Sequence, residues 1–323
     1  MTRLAKEICY IPSIPLPAQE IAAMSSAKPT VLLTGVTGRL GARLRELLRT
    51  EMALVGISRH QTEDNSIVRL ADPSDFNVLD RVWCEIKPDF CIHAAAIADP
   101  DECEQDRRAA ADANIRYTEA ICRSAARWKT KVLFTSTDYV FDGTRSIYEE
   151  LAPTNPVQFY GETKVAAEAL VAKLPDSVVL RLPLLYASGG NTRSNFVGRV
   201  FHALEQNRPI YECAERIRYP LFVDDLASVI RFLLGRGHGG IYHISGPTGT
   251  TRWAWAKLVA ELAGLDPSLV RPREGPHNET GACRPGDIKL DDTKLIQILN
   301  PRITSLRQGT EQVLAAYRRA TKM

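Results

Sequence analysis

The feature that most constrains the fold is a glycine-rich turn between a predicted strand and a predicted helix. Thr30–Thr34 is a short apolar run, typical of a buried strand, and residues 42–50 follow a helical pattern. Between them Gly35, Gly38 and Gly41 permit a tight turn and the close approach of a pyrophosphate to the helix N-terminus. This order predicts a dinucleotide-binding element, with a purely structural glycine turn as the alternative.

Alternating strand and helix patterns continue to residue 183. Strands are predicted at residues 30–34, 53–58, 66–70, 90–94, 131–135 and 177–182, and helices at 42–50, 75–86, 103–128 and 160–173. This alternation is typical of an α/β fold with a Rossmann-type, doubly wound parallel sheet. Beyond Pro183 the pattern changes. Helices are predicted there at 196–206, 223–234, 253–263 and 305–319, with a strand at 241–245.

Composition excludes several classes of protein. The 323 residues carry a formal net charge of +3 without a long basic run, so nucleic acid is not an expected partner. No apolar run reaches membrane-spanning length. The seven cysteines are scattered and form neither a disulfide framework nor a metal-binding pattern, which favours reduced thiols and a cytoplasmic location. No metal is expected.

The end of the second predicted strand bears on cofactor choice. An acidic residue there binds the ribose hydroxyls in proteins that prefer NAD, but this chain has Ser58 and Arg59. A guanidinium can pair with the 2′-phosphate of NADP, and Arg39 in the glycine turn could do so from the other side. The pattern therefore favours NADPH/NADP as the cofactor, with NAD as the alternative. A third explanation is that the two arginines are only exposed surface residues.

On this basis the chain divides into three predicted segments. Residues 1–28 are broken by prolines and are predicted to be a flexible N-terminal extension, not an export or transit peptide. Residues 29–183 are predicted to form the NADP-binding Rossmann domain. Residues 184–323 are predicted to be mostly a smaller substrate-binding region, with some returns to the Rossmann sheet.

Tyr160 and Lys164 are the candidate chemical pair. Residues four apart on a helix share one face, and a nearby ammonium group lowers the pKa of a phenol. Such a pair suits proton donation during carbonyl reduction, although the same spacing also occurs in exposed helical pairs. Ala94 and Ala95, small residues at a strand end, would let a cofactor lie against the backbone. Thr137 follows another strand, where open α/β sheets bind ligands.

These motifs together resemble the extended short-chain dehydrogenase/reductases, and more closely the dTDP-4-dehydrorhamnose reductase family. The resemblance runs from about Thr30 into the C-terminal region. Its most specific pieces are Ala94-Ala95-Ala96, Asp101, Glu104, Ser136-Thr137-Asp138-Tyr139-Val140-Phe141-Asp142-Gly143, Asn155-Pro156, Tyr160-Gly161-Glu162-Thr163-Lys164, Asn195-Phe196-Val197 and Asp225-Leu226-Ala227.

The resemblance implies a role for each matched residue. Tyr160 matches the proton donor, Lys164 the lysine that holds the nicotinamide ribose, and Thr137 the hydroxyl that binds the substrate carbonyl, with Ser136 as a weaker candidate. The implied cofactor-binding residues are Gly35, Thr37, Gly38, Arg39, Leu40, Gly41, Ser58, Arg59, Asp72 near the adenine, Ala94, Ala95 and the helix asparagine Asn114. A nucleotide-sugar substrate and a homodimer are further family expectations.

Substrate contacts are predicted from the same motifs and from arginine chemistry. Asp101, Glu104 and Asn195 lie in the matched segments. Arg181, Arg216 and Arg218 are the candidates for a substrate diphosphate, because guanidinium groups pair with phosphate oxygens in a bidentate manner; surface arginines are the alternative.

Two other groups of polar residues are given structural roles. His93 is expected to be a packed histidine. Asp224 and Asp225 could suggest a metal pair, but Asp225 is expected to cap or orient a loop.

Two segments depart from the reductase pattern. Leu184 replaces an expected tryptophan, and Leu221 stands in a segment that differs as well. Both segments are similar to the regulatory beta subunit of methionine adenosyltransferase, a relative that does not reduce a substrate. Three functions therefore remain open: an NADPH-dependent reductase of a nucleotide-activated 4-keto-deoxysugar, a non-catalytic NADP-binding regulatory subunit, and an NAD-dependent sugar-nucleotide epimerase or dehydratase.

Overall fold

A computed structural model of the chain describes residues 28–60, 64–187, 195–235, 237–273 and 281–320. The predicted N-terminal extension lies outside these residues except for Lys28. The strands are β1 Thr30–Thr34, β2 Ala53–Ser58, β3 Ile67–Arg69, β4 Phe90–His93, β5 Lys131–Thr137, β6 Val178–Leu182, β7 Leu185–Tyr186, β8 Ile210–Glu212, β9 Leu221–Phe222, β10 Gly240–His243 and β11 Val270–Pro272.

The central sheet has, within the described residues, seven parallel strands in the order β10-β6-β5-β4-β1-β2-β3. The chain fills one half from β1 to β3 and then crosses over to β4 on the other side of β1. The strand order thus reverses between β1 and β4, where Thr34 pairs with His93. A crevice opens at such a point in doubly wound sheets. The predicted α/β fold is confirmed.

Helices cover both faces of this sheet. They are α1 Arg39–Leu48, α2 Phe76–Ile86, α3 Pro100–Gln105, α4 Arg107–Ala111, α5 Tyr117–Trp128, α6 Phe159–Val171, α7 Phe196–Glu205, α8 Val223–Leu234, α9 Arg252–Ala263, α10 Thr293–Leu299 and α11 Leu306–Ala320. Helices α1 and α8 pack together on one face, and α5 packs against both α2 and α6 on the other. None of the described helices is long and apolar enough to cross a membrane.

Each face of the sheet has its own hydrophobic core. Leu44 and Leu226 belong to the core beneath α1 and α8, and both side chains are fully buried. Leu79 and Trp83 of α2 belong to the opposite core, where the Trp83 indole donates to the Thr130 hydroxyl at 3.0 Å. The strands of the central sheet are therefore buried on both faces. This explains why their sequences are continuous apolar runs and do not alternate between apolar and polar residues.

The C-terminal region combines a separate core with one strand of the central sheet. Helices α7, α9 and α11 pack beside the β8/β11 pair around Trp255, whose indole donates to Thr310 at 3.0 Å. Trp253 donates to the Val270 carbonyl at 3.3 Å, so both tryptophans pack this region. Strand β10 returns to the sheet and pairs with β6. The predicted segment boundaries at 183 and 184 stay predictions.

The predicted continuous helix over residues 103–128 is wrong. The chain forms α3, α4, a π-helical turn at Asp112–Arg116, and α5. Asp106 breaks the first helix, because its backbone leaves the helical region at φ −133° and its side chain caps Ala109 N. The π turn marks a position where the regular hydrogen-bond ladder is interrupted, and Asn114 lies in it.

Candidate functional site

The glycine turn joins β1 to α1 at the reversal of strand order. Gly35 adopts φ +69°, a backbone conformation that favours glycine, and a Cβ there would lie 2.8 Å from Ala95 N. A Cβ on Gly41 would lie 2.2 Å from the Gly35 carbonyl oxygen. Gly38, the N-cap of α1, has an ordinary φ of −76° and no side-chain cap, so the helix N-terminus is open to an anion.

A cavity of about 410 Å³ opens beside this turn. Of the predicted cofactor residues, Gly35, Thr37, Gly38, Ser58, Arg59, Asp72, Ala94 and Ala95 line it. Arg39, Leu40 and Gly41 form the turn and the first residues of α1 but are not among the lining residues. The cavity is also lined by residues that the sequence motifs do not predict, namely Ile57, His60, Ala71, Pro73, Ser74, Ile97, Ala109, Asp112, Ala113 and Tyr117.

Signals for some of these missed residues exist in the sequence. Ala109 and Ala113 are small residues four apart in a helical stretch, which leaves space for a ligand on one face. His60 and Ser74 each follow a predicted cofactor residue by one or two positions. Tyr117 offered no local signal, because its approach to the cavity depends on the π turn that precedes it.

The polar residues of the cavity wall are held by short local hydrogen bonds. Asp72 accepts from Ser74 N at 2.9 Å and from the Ser74 hydroxyl at 2.6 Å, and this bonding lowers the pKa of Asp72. Ser58 is buried and its hydroxyl accepts from His60 N at 3.0 Å. Arg59 is exposed at the cavity rim.

Asn114 is not a lining residue of the cavity. Its side chain is buried, accepts from Ile97 N at 2.8 Å, and donates to the Ile97 carbonyl and to the Thr163 hydroxyl at 3.0 Å each. These partners give Asn114 a positioning role, and a direct cofactor contact stays a prediction. Asn114 ties the loop after β4 to α6, the helix that carries Tyr160.

Tyr160 and Thr137 come together at the carboxyl end of β5. Burial raises the pKa of Tyr160, and a hydrogen-bonding interaction with the Thr137 hydroxyl partly opposes that rise. The Ser136 hydroxyl donates to Glu168 instead. The structure thus brings Thr137, and not Ser136, to Tyr160. Phe159, the first residue of α6, donates its N–H to Glu104 at 2.8 Å.

Lys164 does not act on Tyr160 as the spacing predicted. Its ammonium group donates to the Thr135 carbonyl at 2.8 Å and lies 4.0 Å from the centre of the Phe134 ring. Burial lowers the pKa of Lys164 to about 7. The prediction that Lys164 lowers the pKa of Tyr160 is wrong for this structure, because burial raises the phenol's pKa and Lys164 is directed to a carbonyl of β5.

Arg181 is not available to a substrate. It is 2% exposed, and its Nε and Nη2 donate to Glu168 at 3.0 and 2.7 Å. Its Nη1 donates to the Glu150 carbonyl at 3.1 Å. We therefore correct the predicted diphosphate contact: Arg181 is the buried partner of a carboxylate on α6.

Arg216 and Arg218 instead meet the segment 284–286. Arg218 donates to the Gly286 and Pro285 carbonyls at 2.6 and 2.8 Å and lies 5.7 Å from the centre of the Tyr139 ring. Arg216 donates to the Arg284 carbonyl at 3.4 Å. The Tyr139 ring in turn lies 6.4 Å from that of Tyr160. A cluster of positive charge therefore flanks the Tyr160 site.

The remaining predicted substrate residues have protein partners. Asp101 accepts from Arg284 Nη2 at 2.7 Å and from Ala282 N at 2.8 Å, which lowers the pKa of Asp101. Glu104 also pairs with Arg107 at 2.7 Å. Asn195 caps α7 by accepting from Val197 N at 3.2 Å. These contacts position the surrounding segments, and a direct substrate contact stays a prediction.

The two groups that were expected to be structural have structural partners. His93 is fully buried between the hydroxyls of Thr34 and Thr118, at 2.7 and 3.0 Å, and burial lowers its pKa to about 3. Asp225 accepts from Thr304 N and from its hydroxyl, each at 2.8 Å, and so orients that loop. The described residues contain no cluster of His, Cys, Asp and Glu suited to a metal ion.

A parallel doubly wound sheet with a glycine turn and a tyrosine/lysine pair at its carboxyl edge defines a protein of the extended short-chain dehydrogenase/reductase type. Residues 29–319 match the family model described as RmlD substrate binding domain, and the chain belongs to this family.

Two relatives have the same sequence identity to this chain but are different kinds of protein, one a reductase and the other a subunit of methionine adenosyltransferase. A dTDP-4-dehydrorhamnose reductase of Aggregatibacter actinomycetemcomitans is 30% identical over 303 residues, covering 88% of this chain and 98% of the relative. Methionine adenosyltransferase 2 subunit beta of Bos taurus is 30% identical over 294 residues, covering 88% of this chain and 86% of the relative. A dTDP-4-dehydrorhamnose reductase from Bacillus anthracis, solved in complex with NADP, aligns with a TM-score of 0.79 at 26% identity, covering 90% and 99%.

Proposed function

We propose that the chain is an NADPH-dependent reductase of a nucleotide-activated 4-keto-deoxysugar. The observation that carries this proposal is the proximity of the Thr137 hydroxyl to the buried Tyr160 phenol at the carboxyl edge of the sheet. This edge is shared with the glycine turn and its cavity. A hydroxyl and a phenol held together there can bind one carbonyl oxygen from two sides.

The cavity suits a dinucleotide. Gly38 is not required by its own φ, and a Cβ there would meet only the Gly35 carbonyl oxygen within 4 Å, at 3.2 Å. The absence of a side chain at Gly38 therefore leaves open space in front of the helix N-terminus. Gly35, Thr37 and Gly38 would hold the phosphates, and Arg59 at the rim would pair with a 2′-phosphate. The absence of an acidic residue at the end of β2 favours NADP over the NAD of an epimerase or dehydratase.

The bound cofactor supplies the hydride that reduces the ketone carbon. Tyr160 transfers its phenolic proton to the ketone oxygen, so that the ketone becomes an alcohol and the phenol becomes a phenolate. The raised pKa of Tyr160 keeps this side chain protonated at neutral pH, which is the form that donates. Thr137 holds the carbonyl oxygen in line with that proton, and Lys164 would hold the nicotinamide ribose.

The positive cluster suits an anionic substrate. Arg218 is fixed by three backbone carbonyls, including that of Ile217 at 3.0 Å, and Arg284 is paired with Asp101. The contact of Arg216 with the Arg284 carbonyl is longer, at 3.4 Å, so Arg216 is the best remaining candidate for a substrate diphosphate. This arrangement favours a nucleotide sugar over a neutral ketone.

A second candidate is a non-catalytic NADP-binding regulatory subunit. The two segments that depart from the reductase pattern lie side by side: Leu221 N donates to the Leu184 carbonyl at 2.9 Å, and β7 pairs with β9. Both departures therefore change one place in the fold. The 30% identity to methionine adenosyltransferase 2 subunit beta equals that to the reductase, which gives this candidate its weight.

The proposal is tested with purified protein, NADPH and dTDP-4-dehydro-6-deoxysugar. A reductase oxidises the cofactor, seen as a fall in absorbance of the reduced nicotinamide, and forms the 4-hydroxy sugar. A chain that binds NADPH tightly but turns over no keto-sugar nucleotide would contradict the proposal. Binding of a stoichiometric partner enzyme under those conditions would favour the regulatory subunit.

A further inference from the structure

Helix α6 carries a buried ion pair one turn beyond Lys164. Glu168 is 7% exposed and Arg181 is 2% exposed, and two nitrogens of the guanidinium donate to the carboxylate. The Ser136 hydroxyl donates to the same carboxylate from β5. A buried carboxylate stays ionised only when such partners stabilise its charge. The partners therefore hold the Glu168 carboxylate in one position beside the helix.

The Glu168–Arg181 pair is connected to other parts of the fold. Besides the Glu150 carbonyl, Arg181 Nη1 lies 3.3 Å from His243 Nε2 on β10, and His243 Nδ1 lies 3.1 Å from the Tyr148 carbonyl. Burial lowers the pKa of His243 to about 3, so its ring is neutral and adds no charge to the network. The pair therefore fixes α6 against three strands of the sheet.

Lys164 has few charged neighbours among the described residues. On α3 the Cys103 thiol has its pKa raised to about 11 by burial, and on β4 burial lowers the pKa of His93 to about 3, so both are neutral near pH 7. Tyr160 on the same helix is a neutral phenol. Lys164 and Glu168 are both buried and lie four residues apart on α6, so they share one face of the helix. Burial favours the neutral amine of Lys164, and Glu168 is the largest influence that opposes burial.

We propose that Glu168 is a positioning residue of the Tyr160/Lys164 site: Arg181 and Ser136 fix its carboxylate, and this carboxylate keeps Lys164 in the ammonium form. An ammonium group donates three hydrogen bonds, and one of them goes to the Thr135 carbonyl. The remaining N–H groups are the donors that the proposed role of Lys164 toward the nicotinamide ribose requires. This inference rests on the proposed role of Lys164, but its test does not depend on turnover.

The test is the titration of Lys164 in the protein without added ligand. Protein labelled with ¹⁵N-lysine is followed by the side-chain Nζ chemical shift from low to high pH, and the Lys164 signal is assigned by its loss in Lys164→Met. In Glu168→Gln the titration midpoint is expected to fall by about one pH unit, a tenfold shift toward the amine. The matched control is Glu162→Gln, an exposed glutamate on the same helix, which should leave the midpoint unchanged.

A double variant separates charge from packing. Glu168→Gln leaves the Arg181 cation without its partner and destabilises the fold, whereas Glu168→Gln with Arg181→Met removes both charges. We expect the double variant to recover thermal stability while its Lys164 midpoint stays low. A wild-type midpoint in either the single or the double variant would overturn the proposal. If the wild-type protein shows no turnover, the reductase function is contradicted. The Lys164 titration midpoints are measured without substrate and do not depend on that result.

Discussion

A Cβ on Gly41 would lie 2.2 Å from the carbonyl oxygen of Gly35, so the third glycine of the turn is required by the backbone of the first. The conflict at Gly38 is much smaller, because its Cβ would lie 3.2 Å from the same oxygen, a tight contact that a small shift relieves. The three glycines of one motif therefore have three different reasons to be glycine, and that of Gly35 is its positive φ of +69°. Gly41 permits the turn to close, and Gly38 leaves space in the cavity.

This difference predicts opposite results for two alanine variants. Gly41→Ala forces backbone against backbone and should cost about 3 kcal/mol or more of unfolding free energy. Gly38→Ala should keep nearly all of its stability but bind NADPH at least about tenfold more weakly, because its methyl group enters the phosphate position. Urea unfolding and NADPH fluorescence titration measure the two effects. Equal loss of stability in both variants would show that Gly38 is a structural glycine as well.

Arg59 should determine the choice between NADPH and NADH. A charged hydrogen bond to the 2′-phosphate contributes about 1.5–3 kcal/mol, so Arg59→Ala should weaken NADPH binding by about tenfold or more and leave NADH binding almost unchanged. Arg145→Ala is the matched control, since Arg145 is exposed and is not a lining residue of the cavity. Equal weakening of both cofactors by Arg59→Ala would remove the basis for assigning NADP.

Asp138 should make the fold less stable as the pH rises. Burial raises the pKa of Asp138 from 3.8 to about 6, so the folded state holds this proton more tightly than the unfolded state. The stabilisation is complete below pH 3.8 and is lost as the pH rises through 6. The loss between about pH 4.5 and 7.5 amounts to about 2 kcal/mol.

Asp138→Asn should lack this part of the pH dependence, because its amide does not titrate. The comparison is made by urea unfolding of both proteins at the two pH values. If the wild type and the variant change in parallel between them, the carboxyl group does not have a raised pKa in the folded protein.

The sequence predicts those parts of the molecule that depend on local pattern. The glycine turn before α1 and the Tyr160/Lys164 spacing on α6 are readable because each lies within one element and its flanking turn. The apolar strands can be predicted from the sequence for the same reason. The α/β fold follows from the alternation of these strands with helices.

The errors concern residues whose partners are distant in the chain. Arg181 is expected to contact a substrate because a guanidinium suits phosphate, but in the folded protein it pairs with Glu168, which also accepts from Ser136. Asn114 and its partner Thr163 are likewise 49 residues apart. Such roles depend on tertiary packing, which periodicity and spacing do not encode.

The most direct test of the account compares the wild type with Tyr160→Phe under matched NADPH and keto-sugar nucleotide. The variant keeps the ring in its buried position and removes only the proton donor. We predict that turnover falls by at least about 10²–10⁴-fold, the contribution of general acid catalysis, while the NADPH dissociation constant stays within about twofold. Unchanged turnover in the variant, or no turnover in the wild type despite tight NADPH binding, would contradict the account.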